Sequence, residues 1–222
     1  MKQLKLLMDF CYEKNDIIEF RSFWHDKTRG KLPDVIQEIK DVEYKSNATN
    51  NKFRKWRKPA EFTQQDWDDL VYVNKLGFGY YIAINTRTDY GKGKNEFVKD
   101  CHCLCADFDT GKEPWKGIPK DELLQAIKDK LVEVKLPIPT IIIFTGHGYH
   151  FWWRLSTPIS PDEWLSLELD LLETVKSDFG GTNRKEGVLR IPELKNTKNE
   201  NQEEEIKCMS LGIEIMSCIA KG

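Results

Sequence analysis

The stretch TIIIFTGHGYHFWWRL, residues 140–155, decides the fold. Residues 140–145 form a run of β-branched and aromatic side chains bounded by Pro139 and Gly146, and residues 149–155 form a second. Only Gly146, His147 and Gly148 separate them, so the spacing predicts two strands joined by a short turn. Upstream, residues 120–132 place Leu124, Ile127 and Leu131 on one helical face, with Pro119 at the start. Before that helix, residues 101–108 read as a strand. Downstream, Ser160, Pro161, Asp162 and Glu163 make a capping box with proline at the first helical position, opening a helix to about Lys176. Residues 188–191 are a last short strand. The order is β-α-β-β-α-β, the ferredoxin-like or RRM-like frame of the α+β class.

That frame predicts where the polar residues meet. Its first and third strands are adjacent and antiparallel, so Asp107 and Asp109 at the end of one lie beside Gly148 and His150 at the start of the other. The fourth strand, with Arg190, is expected on the other flank of the first, bringing Asp178, Gly180 and Gly181 to the same edge. Asp107 and Asp109 share a face, roughly 6.6–7 Å apart at Cα. Two carboxylates on one face repel unless a cation lies between them, and oxygen ligands favour Mg²⁺ or Mn²⁺ over zinc. Capping of a turn accounts for Asp109 as simply. It does not account for Asp107, which follows the largely apolar Cys103, Leu104, Cys105 and Ala106, where a lone acid is costly. Gly146 and Gly148 allow a backbone or a phosphate to come close to His150, while His147 reads as a turn residue.

The remainder bounds the setting. The chain has 222 residues, 40% hydrophobic and 32% charged, with a net charge of −2, which excludes a disordered chain and a globally basic nucleic-acid binder. No apolar run approaches the ~20 residues of a membrane span, and the first ten residues do not read as a signal peptide. Cys101, Cys103 and Cys105 alternate along a strand, which suits a buried core better than zinc or a disulfide framework, and points to the reducing cytosol. Residues 1–77 read as a helical subdomain: Leu4, Leu7, Met8 and Cys11 recur at helical spacing, as do Val35, Ile36, Ile39 and Val42, and Thr63 with Asp66 opens a third helix stopped near Gly77. Residues 78–222 hold the RRM-like β-α-β-β-α-β core. Residues 45–58 carry six basic side chains and no acid, interleaved with Phe53 and Trp56. A solvated helix end reads them equally well. The acidic residues 200–205 read as a solvated loop.

Taken in order, Ala106-Asp107-Phe108-Asp109, the run from Thr145 to Trp153, Asp178, and the run from Val188 to Lys198 resemble the three motifs of the archaeo-eukaryotic primases. The likeness is to the primase-polymerase branch found in plasmids, phages and CRISPR-associated proteins, and Ile84-Asn85-Thr86-Arg87 is similar to that branch too. The resemblance covers roughly residues 78–200. It implies a template-directed nucleotidyltransferase, with Asp107, Asp109 and Asp178 as catalytic acids holding two Mg²⁺ or Mn²⁺ ions, and His150 contacting the incoming triphosphate. Arg190, Gly148, Thr145, Asn85, Arg87, Lys195 and Lys198 would complete the nucleotide site, with Asn196 among them. Arg54, Lys55, Trp56 and Arg57 would follow the phosphates and bases of a single-stranded DNA template. The substrates would be deoxynucleoside or ribonucleoside triphosphates, joined with or without a primer, and further domains of a longer chain would be partners. Two departures stand out. The family's serine two residues before the histidine is Gly148 here, and its Pro-Gly after the arginine strand is Pro192-Glu193.

Two other classes use the same frame. A rolling-circle nickase would take His147 and His150 as metal ligands, but these are separated by two residues where that class has one, and no tyrosine nucleophile is clearly placed. A non-catalytic RRM-type module would use the alternating Tyr149, Phe151 and Trp153, yet has no reason to gather three aspartates.

Overall fold

The computed structural model describes residues 1–24, 43–45, 52–198 and 204–211. Two antiparallel sheets share one continuous core. The first comprises β1 (Ile18–Phe23), β2 (Glu43–Lys45), β3 (Lys52–Arg57), β4 (Gly79–Ala83) and β8 (Val188–Arg190), in the order β2-β3-β1-β4-β8. The second comprises β5 (Cys101–Asp109), β6 (Ile141–Phe144), β7 (Gly148–Ile159) and β11 (Lys207–Leu211), in the order β11-β6-β7-β5. β9 (Lys195–Asn196) and β10 (Glu204–Glu205) form a separate short ladder, so the end of the acidic run is paired. Four α-helices lie among the described residues: α1 (Lys2–Cys11), α2 (Gln64–Lys75), α3 (Lys120–Glu133) and α4 (Pro161–Val175). None is long and apolar enough to cross a membrane.

The helices form largely as expected, except that α3 buries Leu123 with Ile127 and Leu131 in place of Leu124, and Ser160 accepts from the Glu163 amide without the return bond of a capping box. α1 buries Leu4, Leu7, Met8 and Cys11. α2 opens on a capping box in which Thr63 and Asp66 exchange bonds, and Ser160 caps α4. The stretch between α1 and α2 departs from the helical expectation. β1 and β3 are strands, and β1 is hydrogen-bonded to both β3 and β4, so residues from either side of position 78 share one sheet. The expected helix around residues 35–42 lies outside the described residues.

The β-α-β-β-α-β order is present as β5-α3-β6-β7-α4-β8, and β5 pairs with β7 as expected. The last strand does not flank β5. It crosses to the other sheet, where Arg190 is opposite Tyr81 of β4. The physical reason lies on the outer edge of β5, which α4 has already satisfied. The Cys105 amide donates to the Glu168 carboxyl at 3.0 Å, and the Trp164 indole donates to the Cys103 carbonyl at 2.7 Å. A strand edge left without partners would be costly, and here side chains of a helix take the bonds a neighbouring strand would make. Burial pushes the Glu168 carboxyl well above its usual range.

Glu193, the position where the resembled motif would carry glycine, has a φ of 67°, in the left-handed region that glycine adopts without penalty. Its carboxylate accepts from the amides of Gln3 at 2.8 Å and Leu4 at 3.1 Å and pairs with the Met1 amino group at 3.0 Å. Glu193 therefore caps the first turn of α1 from across the molecule.

Candidate functional site

The end of β5 and the start of β7 build one wall of a cleft. In their register Asp107 is opposite His150, and Asp109 is opposite Gly148. Asp178 follows α4, which ends at Lys176 in the left-handed conformation, and its amide donates to the Asp107 carbonyl at 2.7 Å. All three aspartates thus reach one edge. Two of them also make tight turns: Gly111 N–H donates to Asp109 at 2.8 Å and Gly180 N–H to Asp178 at 3.0 Å.

Charge in this cleft is arranged unevenly. Burial, reinforced by the charges of Asp178 and Asp109, pushes the Asp107 carboxyl up to about 7. Burial, with the nearby Arg190 guanidinium, pushes His150 down to about 3, so its imidazole is neutral. His150 Nε2 stands 3.6 Å from Asp107. Its Nδ1 is buried without a hydrogen-bond partner, and so is Nη1 of Arg190, whose guanidinium lies 4.9 Å from the centre of the Tyr81 ring. Lys112, in the turn after Asp109, places its ammonium on the Asp178 carboxylate. That bond, with the charges of Asp107 and Asp109 adding to it, holds Lys112 above its ordinary value.

Two pockets meet at Asp107, His150 and Arg190. The smaller, about 140 Å³, is lined also by Asp109, Asp178, Lys112, Thr145 and Lys198. The larger, about 350 Å³, extends away toward Tyr81, Arg184 and Arg21. Thr145 and Lys198 are on the lining of the smaller pocket, and Asn196 ties their two segments together by donating to the Thr145 carbonyl at 2.7 Å. Lys195 is exposed and lines neither pocket. Gly148 has a steric role: a Cβ there would lie 1.8 Å from the Phe108 carbonyl oxygen.

Other expected contacts face inward. Asn85 is fully buried and donates to the Lys185 carbonyl, and Arg87, also buried, pairs with Glu19 at 3.1 Å. Arg54 pairs with Glu19, Lys55 with Asp66 and Asp69, and Arg57 with Asp66, while the Trp56 indole donates to the Lys92 carbonyl. The basic run of β3 is thus matched by internal carboxylates. Sequence reasoning missed Lys112, although its place three residues after Asp109 was a usable signal. Arg21, on the wall of the larger pocket, lies in a stretch whose sequence reads as helical but which forms β1.

Among the described residues no three His, Cys, Asp or Glu side chains are drawn together closely enough to form a ready metal shell. The donor chemistry nevertheless suits a hard divalent cation: three carboxylates border one small pocket, and one of them already holds a lysine ammonium.

No protein-family model matches the chain, and no curated protein does. Solved structures do. The archaeo-eukaryotic primase domain of the cyanophage S-2L primase-polymerase superposes with a TM-score of 0.66 at 14% identity, covering 97% of this chain and 92% of that one. Primase RepB' gives 0.60 at 11% identity, with 96% of this chain and 57% of that one covered. The RepB' catalytic domain in complex with initiator DNA gives 0.57 at 10% identity, over 96% and 87%. These neighbours are members of the archaeo-eukaryotic primase superfamily, and the chain shares their mixed α/β fold.

Proposed function

We propose that the protein is a template-directed primase-polymerase, joining nucleoside triphosphates along a single-stranded DNA template. The observation that carries this reading is the convergence of Asp107, Asp109 and Asp178 on a cleft that also holds buried, unpartnered nitrogens of His150 and Arg190. Buried polar groups without partners are rare and call for a ligand, and here that ligand is an anion beside a carboxylate cluster. Asp107, Asp109 and Asp178 would hold Mg²⁺ or Mn²⁺. When bound, such ions stabilise the attacking oxygen and the departing pyrophosphate. In the reaction a 3′-oxygen bonds to the α-phosphorus as the bond to pyrophosphate breaks. His150, neutral and fixed opposite Asp107, donates a hydrogen bond to the triphosphate, and Arg190 and Lys198 add charge. Positioning of the phosphates in line supplies much of the rate.

The test is synthesis from labelled nucleotides on primed and unprimed single strands, with Mg²⁺ or Mn²⁺. Extended primers, and shorter products on the unprimed strand, are expected from the wild type, and neither from Asp107→Asn. Failure of the wild type to incorporate nucleotides on a primed strand would overturn the reading. Extension without initiation would reduce it to polymerase alone.

A further inference from the structure

The larger pocket reaches past His150 and Arg190 to strand β1, where Arg21 lines it. Arg21 is held by its neighbour two residues back. Its Nε and Nη2 donate to the two oxygens of Glu19 at 2.8 Å each, and Nη2 also reaches the Gly93 carbonyl at 3.3 Å. Glu19 is fully buried and receives two further guanidiniums: Arg54 Nε at 2.7 Å, and Arg87 through Nε at 3.2 Å and Nη2 at 3.1 Å. Burial works against its ionisation, but the three arginines hold its carboxyl below the ordinary value.

Among the described side chains, three guanidiniums share the single carboxylate of Glu19. Uncompensated charge away from water is expensive. Arg54 and Arg87 are both buried; Arg21 is the member of the cluster on the pocket wall. The side of the cluster open to a ligand is therefore the pocket, whose other walls carry Arg184, Arg190 and the unpartnered face of His150, with the carboxyl groups of Asp107 and Glu186 also on its lining. A planar guanidinium locked by a bidentate partner loses little freedom when it binds a phosphate.

We propose that Arg21 is a phosphate-binding residue of the nucleotide site, held in place by Glu19, with Arg54 and Arg87 as positioning residues that act through Glu19. The inference rests on the polymerase reading and extends it: the triphosphate lies across His150 and Arg190 and ends on Arg21. Arg54 of β3 then serves the site indirectly, from the same face of the sheet and one strand further out than Arg21.

The experiment measures binding by the full chain of dATP, inorganic tripolyphosphate, deoxyadenosine and a short single-stranded oligonucleotide. Arg21→Gln should weaken dATP and tripolyphosphate about tenfold or more, as loss of a charge-assisted pair does, and leave deoxyadenosine and the oligonucleotide unchanged. Arg21→Lys, which keeps the charge, should recover part of the loss and guards against misfolding of the first variant. Equal tripolyphosphate binding in Arg21→Gln, or a loss confined to the oligonucleotide, overturns the inference. A wild type that binds neither nucleotide nor strand overturns the polymerase reading and the inference with it. For the positioning part, Arg54→Lys should raise the nucleotide KM without lowering kcat, and add nothing once Arg21 is replaced. An undiminished effect in the Arg21→Gln background refutes it.

Discussion

Lys112 holds Asp178 in the place where a metal ion would be drawn. Replacing it removes a competitor for the carboxylate. Lys112→Met should therefore bind Mn²⁺ several-fold more tightly, read as free ion by electron paramagnetic resonance. Lys116→Met, which deletes the same charge on an exposed residue of the same loop, is the control. Equal affinities in the two variants would show that only general electrostatics is at work. His150→Ala should raise the nucleotide KM and slow turnover, together costing about 1.5–3 kcal/mol in kcat/KM if the contact is charge-assisted. An unchanged nucleotide affinity would return His150 to a packing role. Asp178 arrives by the turn after α4 and not beside a strand flanking β5. At this scale the meeting of Asp107 and His150 was legible, since the frame pairs the end of β5 with the start of β7. The destinations of Arg54, Lys55 and Arg87 were not, because their partners Glu19, Asp66 and Asp69 are set by pairing between distant segments.

Among the elements, α4 shields the edge of β5 with a carboxyl group. Glu168 is held well above its usual range by burial, so the folded chain keeps a proton that the unfolded chain releases. Its contribution to stability is full below the unfolded value of about 4.3 and is lost as pH rises toward the folded value. Glu168→Gln keeps an acceptor for the Cys105 amide and has no proton to lose. It should melt close to wild type near pH 5 and above it near pH 8; parallel melting curves across that range would contradict the assignment. The Glu193 cap makes a second prediction. Glu193→Ala keeps the left-handed backbone and loses the cap, and should cost about 1–2 kcal/mol in denaturant unfolding. Glu193→Gly loses the same cap but relieves about 1 kcal/mol or more of strain, so it should lie closer to wild type than the alanine variant. The reverse ranking would remove the strain argument. A reading of residue types alone finds Glu193 out of place, since the helix it caps is 189 positions away.

For the whole molecule, the β-α-β-β-α-β order was readable because each of those elements announces itself locally, by a turn, a cap or a period. The two-sheet arrangement was not. β3, Lys-Phe-Arg-Lys-Trp-Arg, lacks the polar and apolar alternation that marks a strand, and β1 alternates only over residues 18–21. β8 joins β4 for a reason visible only once α4 is seen on β5. Because β1 lies between β3 and β4, a fragment of residues 78–222 would leave β4 with a bare edge and uncover the side chains that Ile18 and Phe20 bury. Such a fragment should lack the near-ultraviolet circular dichroism of the full chain. A cooperative, native-like spectrum from it would mean that the N-terminal strands are dispensable to the core.

Gly148 bears on how sequences of this kind can change over time. A β-carbon at that position would sit on the Phe108 carbonyl, within the pairing of β5 and β7 that carries both the acids and the histidine. A serine, the residue that the primase motif resembled by this sequence carries there, cannot be introduced by one substitution without prying the two strands apart. The closeness of the strands and the absence of a side chain are mutually entrenched. A lineage with serine and a lineage with glycine are then separated by a step that requires at least two coordinated changes, and hydroxyl chemistry at this corner has to be sought from another position, such as Thr145.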